Sequence, residues 1–515
     1  EKLDKKKKRN EEGKEDVEIV FDNEKVIVYK PTSEAGSKCY GKGTRWCTAA
    51  KNDNMYDHYN EKGPLFIIQT KQTTPKRKFQ LHIETGSFMK ENDEPANIYE
   101  MLDNDEEFKN WFNTLIPKLN IVDKKLEIDF WVPTFKDEHS YLEELRFGDD
   151  FDQHLGNSLD KLVNLKKLTF SHVFNKPLGN SLDKLVNLKQ LTFSNYFNQP
   201  LDNSLDNLTN LQQLTFSDRG DFDQPLGNSL DKLVNLQQLT FGYAFDQTLG
   251  ESLHGLTKLQ KLTFGYSFDQ PLGNSLDKLV KLQQLTFGDN FNQPLGTSLN
   301  GLTNLQQLTF GNEFDKPLGD LLDKLVNLQQ LTFGRYFNQL LGTSLNGLAN
   351  LQSTFSSWFN FNKPLDTSLD KLVKLEQLTF GDAFKQPLGT SLNNLPNLKQ
   401  LTLGYFDKPL GNLLDKLVNL EQLTFSLSFN QPLGESLDKL VNLQQLTFGD
   451  AFNQPLGNSL DNLTNLQQLT FSRYFNQPLG NSLDNLTNLQ VLTFSGLSKF
   501  NKDSLQKKYP NLNIQ

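Results

Sequence analysis

The stretch Asn442-Leu443-Gln444-Gln445-Leu446-Thr447-Phe448-Gly449-Asp450-Ala451-Phe452-Asn453-Gln454-Pro455-Leu456-Gly457-Asn458-Ser459-Leu460-Asp461 holds the structural unit of this chain. Leu446 and Phe448 alternate with Gln445 and Thr447, which is the period of a strand with one face buried and one face wet. Pro455 and Gly457 end that strand, because Pro has no N–H to give a ladder and Gly accepts turn dihedrals. Leu460, Leu463 and Leu466 then stand at i, i+3 and i+6 behind Asn458 and Ser459, either of which suits a helix cap. One or two turns of α or 3₁₀ helix are predicted there. Strand, turn, short helix and return complete a coil.

The same sentence recurs from Tyr141 onward. The second Phe of the unit falls at Phe151, Phe174, Phe197 and on to Phe475, fifteen times, mostly 23 residues apart, with a degenerate sixteenth at Phe500. A fixed period between 20 and 50 residues marks a solenoid, in which each unit is too small to bury its own core and must stack on its neighbours. The usual prior of one domain per ~150 residues therefore does not apply to this 515-residue chain. The repeat writes two Phe per coil, so most of the 40 phenylalanines belong to it and are predicted to form a stacked aromatic spine.

The pattern L-x-x-L-x-F followed by F-N-x-P-L resembles the leucine-rich repeat, and most of all the FNIP-type variant familiar from amoebae and from large DNA viruses that infect them. The resemblance covers roughly residues 141 to 500. It implies an α/β solenoid, a leucine-rich-repeat arc of about 15–16 coils of 23 residues, preceded by a small α+β domain. It also implies a non-enzymatic scaffold that binds a protein partner, host or viral, in the host cytoplasm or the virion. A virion or capsid-associated structural component is the alternative within the same class. One departure stands out. The Asn slot of ordinary leucine-rich repeats is variable here, and Asn or Asp instead follows the second Phe, as at Asn175, Asn198, Asp223, Asp246, Asn292 and Asn453. These side chains are predicted to hydrogen-bond the adjacent turn, since a buried polar column must be satisfied. Asp223, Asp246 and Asp269 would stack as like charges unless partly exposed.

The coil's variation lies in the few residues between its two Phe. Tyr and Arg recur there, and these are the side chains that most often anchor interfaces. Tyr196, Arg219, Tyr243, Tyr266, Arg335, Tyr336, Arg473 and Tyr474 are the candidate partner contacts. Drift at positions that packing leaves free is the competing reading. Trp358 joins the candidates because the regular pattern breaks around it: Leu351-Gln352-Ser353-Thr354-Phe355 lacks the second Leu of the strand, and Trp358 either anchors a partner or fills the gap. A second irregularity, at Leu401 to Phe406, puts Leu403 in the first Phe slot.

Around the repeat, residues 1–16 read as a charged flexible tail, 17–98 as a small α+β domain, 99–140 as linker and N-terminal cap, 141–500 as the repeats and 501–515 as a C-terminal cap. Phe108, Trp111, Phe112 and Leu115 have helical spacing, and Leu126, Ile128 and Phe130 alternate as a strand; both are assigned to the N-terminal cap. In the small domain, Lys25–Tyr29, Leu65–Gln69 and Phe79–Glu84 read as strands around the run Tyr40-Gly41-Lys42-Gly43-Thr44-Arg45-Trp46-Cys47-Thr48-Ala49-Ala50. That run, with Lys78-Phe79-Gln80-Leu81-His82-Ile83-Glu84, resembles a small domain of tailed-phage and large-virus proteins, and the resemblance implies no activity.

Cys47 before His82 is the order of a papain-like or transglutaminase-like nucleophile and base, and the alternative reading, a Cys-His hydrolase or transferase in the small domain, would need thiol and imidazole within hydrogen-bond reach. Both are also ordinary core-filling residues. Cys39, Cys47, His58 and His82 could supply four zinc ligands but lack finger spacing, and Gly41-Lys42-Gly43-Thr44 falls short of a phosphate loop. No metal or cofactor is expected. Two cysteines exclude a disulfide framework and point to a reducing, intracellular setting. A formal net charge of −9 argues against a specific nucleic-acid partner, and no apolar run approaches the ~18–20 residues of a spanning helix, so no membrane insertion is expected. The sequence leaves the oligomeric state open.

Overall fold

The computed structural model describes residues 13–116, 119–354, 360–472, 474–495 and 502–515, and the chain divides into two compact units, Glu1–Gln224 and Pro225–Gln515.

The first unit opens with an antiparallel sheet whose strands lie in chain order: β1 (Val17–Asp22), β2 (Val26–Pro31), β3 (Leu65–Thr70), β4 (Lys78–His82) and β5 (Ser87–Lys90). The central strand carries the run Leu65-Phe66-Ile67-Ile68, buried on both faces, and Val28 and Leu81 flank it without exposure. The edge strands β1 and β5 escape the hydrophobic pattern because each buries little of its length. Trp46 is fully buried and donates its indole N–H to the Lys90 carbonyl at 2.6 Å, which ties the Tyr40–Ala50 run to the sheet edge. The helix Glu106–Leu115 is capped by Asp105, whose Oδ1 accepts the Phe108 N–H at 3.0 Å. Read from sequence as part of a cap on the repeat, this helix also packs on the head sheet: Phe108 meets Phe21 at 5.7 Å and Trp111 meets Phe66 at 5.7 Å. Its Phe112 stands edge-on to Trp131 at 5.5 Å, and Trp131 donates to the Ile83 carbonyl.

Parallel strands follow at Lys125–Ile128, Glu144–Phe147, Lys167–Thr169, Gln190–Phe193 and Gln213–Phe216, with Leu126, Leu145, Leu168, Leu191 and Leu214 aligned in register. The second unit continues the pattern from Gln238–Thr240 to Val491–Ser495 and ends on the short strand Asn513–Ile514. The repeat is a parallel β-solenoid of about 16 turns of roughly 23 residues. A typical repeat strand, such as Gln284–Thr286 or Gln307–Thr309, buries its Leu and leaves the flanking Gln and Thr partly open.

Two Phe columns form the predicted spine. Within one coil Phe264 and Phe268 stack at 4.1 Å, and each continues into the next coil, Phe264 to Phe287 at 5.7 Å and Phe268 to Phe291 at 6.0 Å, all nearly parallel. Offset stacking of this kind adds about 0.5–1.5 kcal/mol per pair beyond the burial of the rings. Where the pattern breaks, Thr354 takes the register place between Leu331 and Leu378, yet the second column runs on through Phe361, 6.3 Å from Phe337 and 6.0 Å from Phe384. Leu403 fills the first Phe slot of its coil and is fully buried.

The side opposite the strands differs from the sequence expectation. In place of a short helix, the chain runs through successive turns closed by i to i+3 bonds: Ser275 N–H to Leu272, Asp277 to Asn274, Leu279 to Leu276 and Leu282 to Leu279. Among the described repeats one such segment, Leu321–Lys324, tightens into a 3₁₀ helix. The leucine interval of three is the reason, because a period of 3.0 keeps leucines on one side of a 3₁₀-like path, whereas an α-helix would rotate them off it. Gly273, with φ of +51°, turns the chain into this segment, and Asp202 takes the same left-handed turn at φ +44°. Asp is among the few side chains that tolerate it.

Candidate interaction surfaces

The loop between the two Phe of a coil is positioned by what lies on either side of it. The Phe are buried, and the residue after the first is Gly or Ser because the neighbouring coil's backbone is close: a Cβ on Gly265 would lie 1.8 Å from the Gly242 carbonyl oxygen. The residues that vary are the next one or two, or four, as in the loop Asp218–Asp221.

Those are the residues singled out from sequence. Tyr196, Tyr243, Tyr266, Tyr336 and Tyr474 are between 40% and 57% exposed, so each ring has a face or an edge available to a partner. Tyr243 and Tyr266, on successive coils of the second unit, stack at 4.7 Å with 2° between their planes. The Arg335 guanidinium lies 5.6 Å from the Tyr336 ring centroid, and both are exposed. In the first unit, Tyr196 meets His172 edge-on at 5.0 Å. Arg219 stands exposed on the longer loop Asp218–Asp221, which is held by Gly220 N–H to Ser217 and Asp221 N–H to Asn195. Trp358 and Arg473 lie outside the described residues.

Sequence reasoning missed two members of this surface. Tyr405, 40% exposed, sits under Lys385, whose ammonium is 4.9 Å from its ring, and Leu427 is 48% exposed in the same kind of loop. Tyr405 belongs to the shortened coil, where the missing residue hid its equivalence to the other rim tyrosines; counting from the first Phe slot would have found it.

Beneath the rim runs the polar column foreseen after the second Phe. Asn453 Oδ1 accepts the Asn476 N–H at 2.9 Å and the Gln477 side-chain amide at 3.2 Å, and Asn198, Asp269 and Asp407 do the same for their following coils. Asp246 and Asp269 stack in successive coils, and Oδ1 of each receives a backbone N–H and a Gln amide from the next coil. A second column was not foreseen. Asn187 donates to the Val163 carbonyl at 2.9 Å and Asn442 to the Val418 carbonyl at 2.9 Å, lacing the edge where the chain enters each strand.

In the head, the structure does not pair Cys47 with His82. The imidazole is buried with both nitrogens engaged, Nδ1 with Thr85 Oγ1 at 2.9 Å and Nε2 with the Tyr59 and Gly63 carbonyls at 3.0 and 3.1 Å. Cys47 starts a three-residue 3₁₀ turn, too short for a helix terminus to favour the thiolate. Burial, with Asp93 nearby, pushes its pKa up, although hydrogen bonds that include Tyr59 oppose this. Among the described residues no three His, Cys, Asp or Glu gather as metal ligands, and no helix is long and apolar enough to cross a membrane.

No protein-family model and no characterised sequence matches the chain. Solved structures do. The circular leucine-rich-repeat protein CroV588 is 25% identical with a TM-score of 0.53, over 71% of this chain and 58% of that one. TLR13 in complex with ssRNA13 is 18% identical with a TM-score of 0.61, over 75% and 61%. The Drosophila Toll–Spätzle complex is 16% identical with a TM-score of 0.56, over 84% and 65%. The chain thus spans less than two thirds of each of these relatives. The repeat has the fold of the leucine-rich-repeat proteins.

Proposed function

We propose that this chain is a non-enzymatic interaction scaffold, holding a protein partner, host or viral, against the loop rim of its repeat. The observation that carries this reading is the exposed, parallel Tyr243–Tyr266 pair on a scaffold whose other loop-flanking positions hold Phe, Gly and Ser in all but the coil of Leu403. Stacked tyrosines are stiff, lose little entropy on contact and offer both an apolar face and a hydroxyl. The fold supports the scaffold reading, since stacked coils supply stability while the loops stay free to specialise. That one neighbour is solved in complex with Spätzle and another with ssRNA13 agrees with a binding role for the repeat. The FNIP-type resemblance adds the setting: a protein of a large DNA virus, acting in the host cytoplasm or carried in the virion. An enzyme in the head gains no support from the placement of Cys47 and His82.

The test is affinity capture with the full chain and with a Tyr243→Ser/Tyr266→Ser/Arg335→Ser/Tyr336→Ser variant. Loss of the partner on the variant, with the thermal midpoint kept, supports the reading. Equal recovery on both refutes it.

A further inference from the structure

A cationic patch lies on the other edge of the strands, where the chain enters them, and it is densest in the first coils of the first unit; farther along, the same slots hold lysine only at Lys261 and at Lys399, the latter paired with Glu376. Lys124, Glu143, Lys166 and Lys189 occupy one slot in four successive coils, linked by the backbone bonds Glu143 N–H to Lys124, Lys166 N–H to Glu143 and Lys189 N–H to Lys166. Lys125, Glu144 and Lys167 align in the adjacent slot. Glu143 is clamped by Lys124 and Lys166, both at 2.7 Å, and Glu144 by Lys125 at 3.3 Å and Lys167 at 2.9 Å. Arg146 is answered separately by Glu127 and Asp149. Five lysines thus face two carboxylates, and the exposed Lys189 ammonium has no carboxylate partner among the described residues. This surplus of positive charge sits on a chain whose net charge is −9.

The repeat itself shows that the fold does not need these lysines. The next coil carries Gln212 and Gln213 in the same two slots, and Gln283 with Gln284, or Gln306 with Gln307, fill them farther along. Stacking therefore does not require lysine at these places. Lys124, Lys166 and Lys189 line a cleft of about 480 Å³, together with Glu143, the half-exposed ring of Tyr141, Asn164 and Asn187, while Lys125 and Lys167 stand in the adjacent slot. Each Asn gives its N–H to the preceding coil. Strands about 4.8 Å apart put the four coils across ~14 Å, which about four residues of extended peptide at ~3.3 Å each would cover.

We propose that this edge binds an acidic peptide segment of a partner protein, laid across the first four coils with its carboxylates on Lys124, Lys166, Lys167 and Lys189. The surface is distinct from the tyrosine rim and stands or falls separately from it. Charge complementarity of this kind gives orientation and fast, salt-sensitive encounter.

Fluorescence anisotropy of labelled hexaglutamate with the full chain tests the proposal, with hexalysine and a six-nucleotide single-stranded DNA as controls. Binding at low salt that weakens as salt rises is expected. A Lys166→Gln/Lys167→Gln/Lys189→Gln variant, which writes in the residues of other coils, should bind at least tenfold more weakly with an unchanged thermal midpoint. Tyr243→Ser/Tyr266→Ser should bind as the parent does. Glu144→Gln, which frees Lys125 and Lys167, should bind several-fold more tightly, and this decides the matter if the triple variant does not fold. The proposal is overturned if the parent does not bind hexaglutamate, if the triple variant binds undiminished, if Glu144→Gln weakens binding, or if the oligonucleotide is held more tightly than the peptide.

Discussion

Asn453 illustrates how one side chain joins two coils. Its Oδ1 takes an exposed backbone N–H and a part-buried Gln amide from the next coil, so removing it takes away two bonds between coils. Asn453→Ala should cost about 0.5–1.5 kcal/mol in urea denaturation, whereas Asn453→Asp, which writes in the residue used at Asp246 and Asp269, should cost less than that. The column was legible from the recurrence of Asn or Asp after the second Phe. The Asn187 column was not, because a polar residue on an exposed edge looks the same whether or not it is hydrogen-bonded. Glu143 makes a second test at this scale. Lys124 and Lys166 hold its carboxyl at about 2, down from 4.5. Because the folded value lies below the unfolded one, the stabilisation from this group is present above pH ~4.5 and is lost as the pH falls through about 2. Carboxyl titration by NMR should find it there in the parent and higher in Lys166→Gln; an ordinary value in the parent would disprove the clamp.

At the scale of the element, strand and spine were readable and the turn side was not. Leu446 and Phe448 give a clear period of two, and the second Phe returns with too little variation to be anything but core. Leucines three apart suit both a 3₁₀ helix and a run of turns, which share the i to i+3 bond, and the spacing alone does not say which path the backbone takes. In the head, β1 was invisible because its exposed Glu18 and Ile19 break the alternation. Likewise the order of Cys47 and His82 could not disclose that carbonyls from Tyr59 and Gly63 occupy the imidazole. The spine carries a direct prediction. Phe268 is fully buried between rings of its own and both adjoining coils, so Phe268→Ala should destabilise the second unit by about 3–5 kcal/mol. Tyr266→Ser, two residues away on the rim, should cost about 1 kcal/mol or less, mostly its stacking on Tyr243. Denaturation followed by hydrogen exchange in the second unit distinguishes them; similar losses would mean that the rim ring is structural.

For the whole molecule, near-identity of the coils makes every departure informative. Where packing dictates, the chain writes Leu, Phe, Gly and Asn; where it does not, the loops after the strands collect Tyr and Arg and the entry edge of the first coils collects Lys. Sequence located the first of these departures and passed over the second, because Lys among many surface lysines has meaning only beside the Gln of the other coils. The central claim is that the tyrosine rim, rather than the turn side, meets the partner. Photo-crosslinking from a benzoylphenylalanine placed at position 266, and in a separate chain at the exposed turn position 278, tests it most directly. An adduct with the same partner from position 266 and none from position 278 is predicted; an adduct from position 278 with none from position 266 would contradict it.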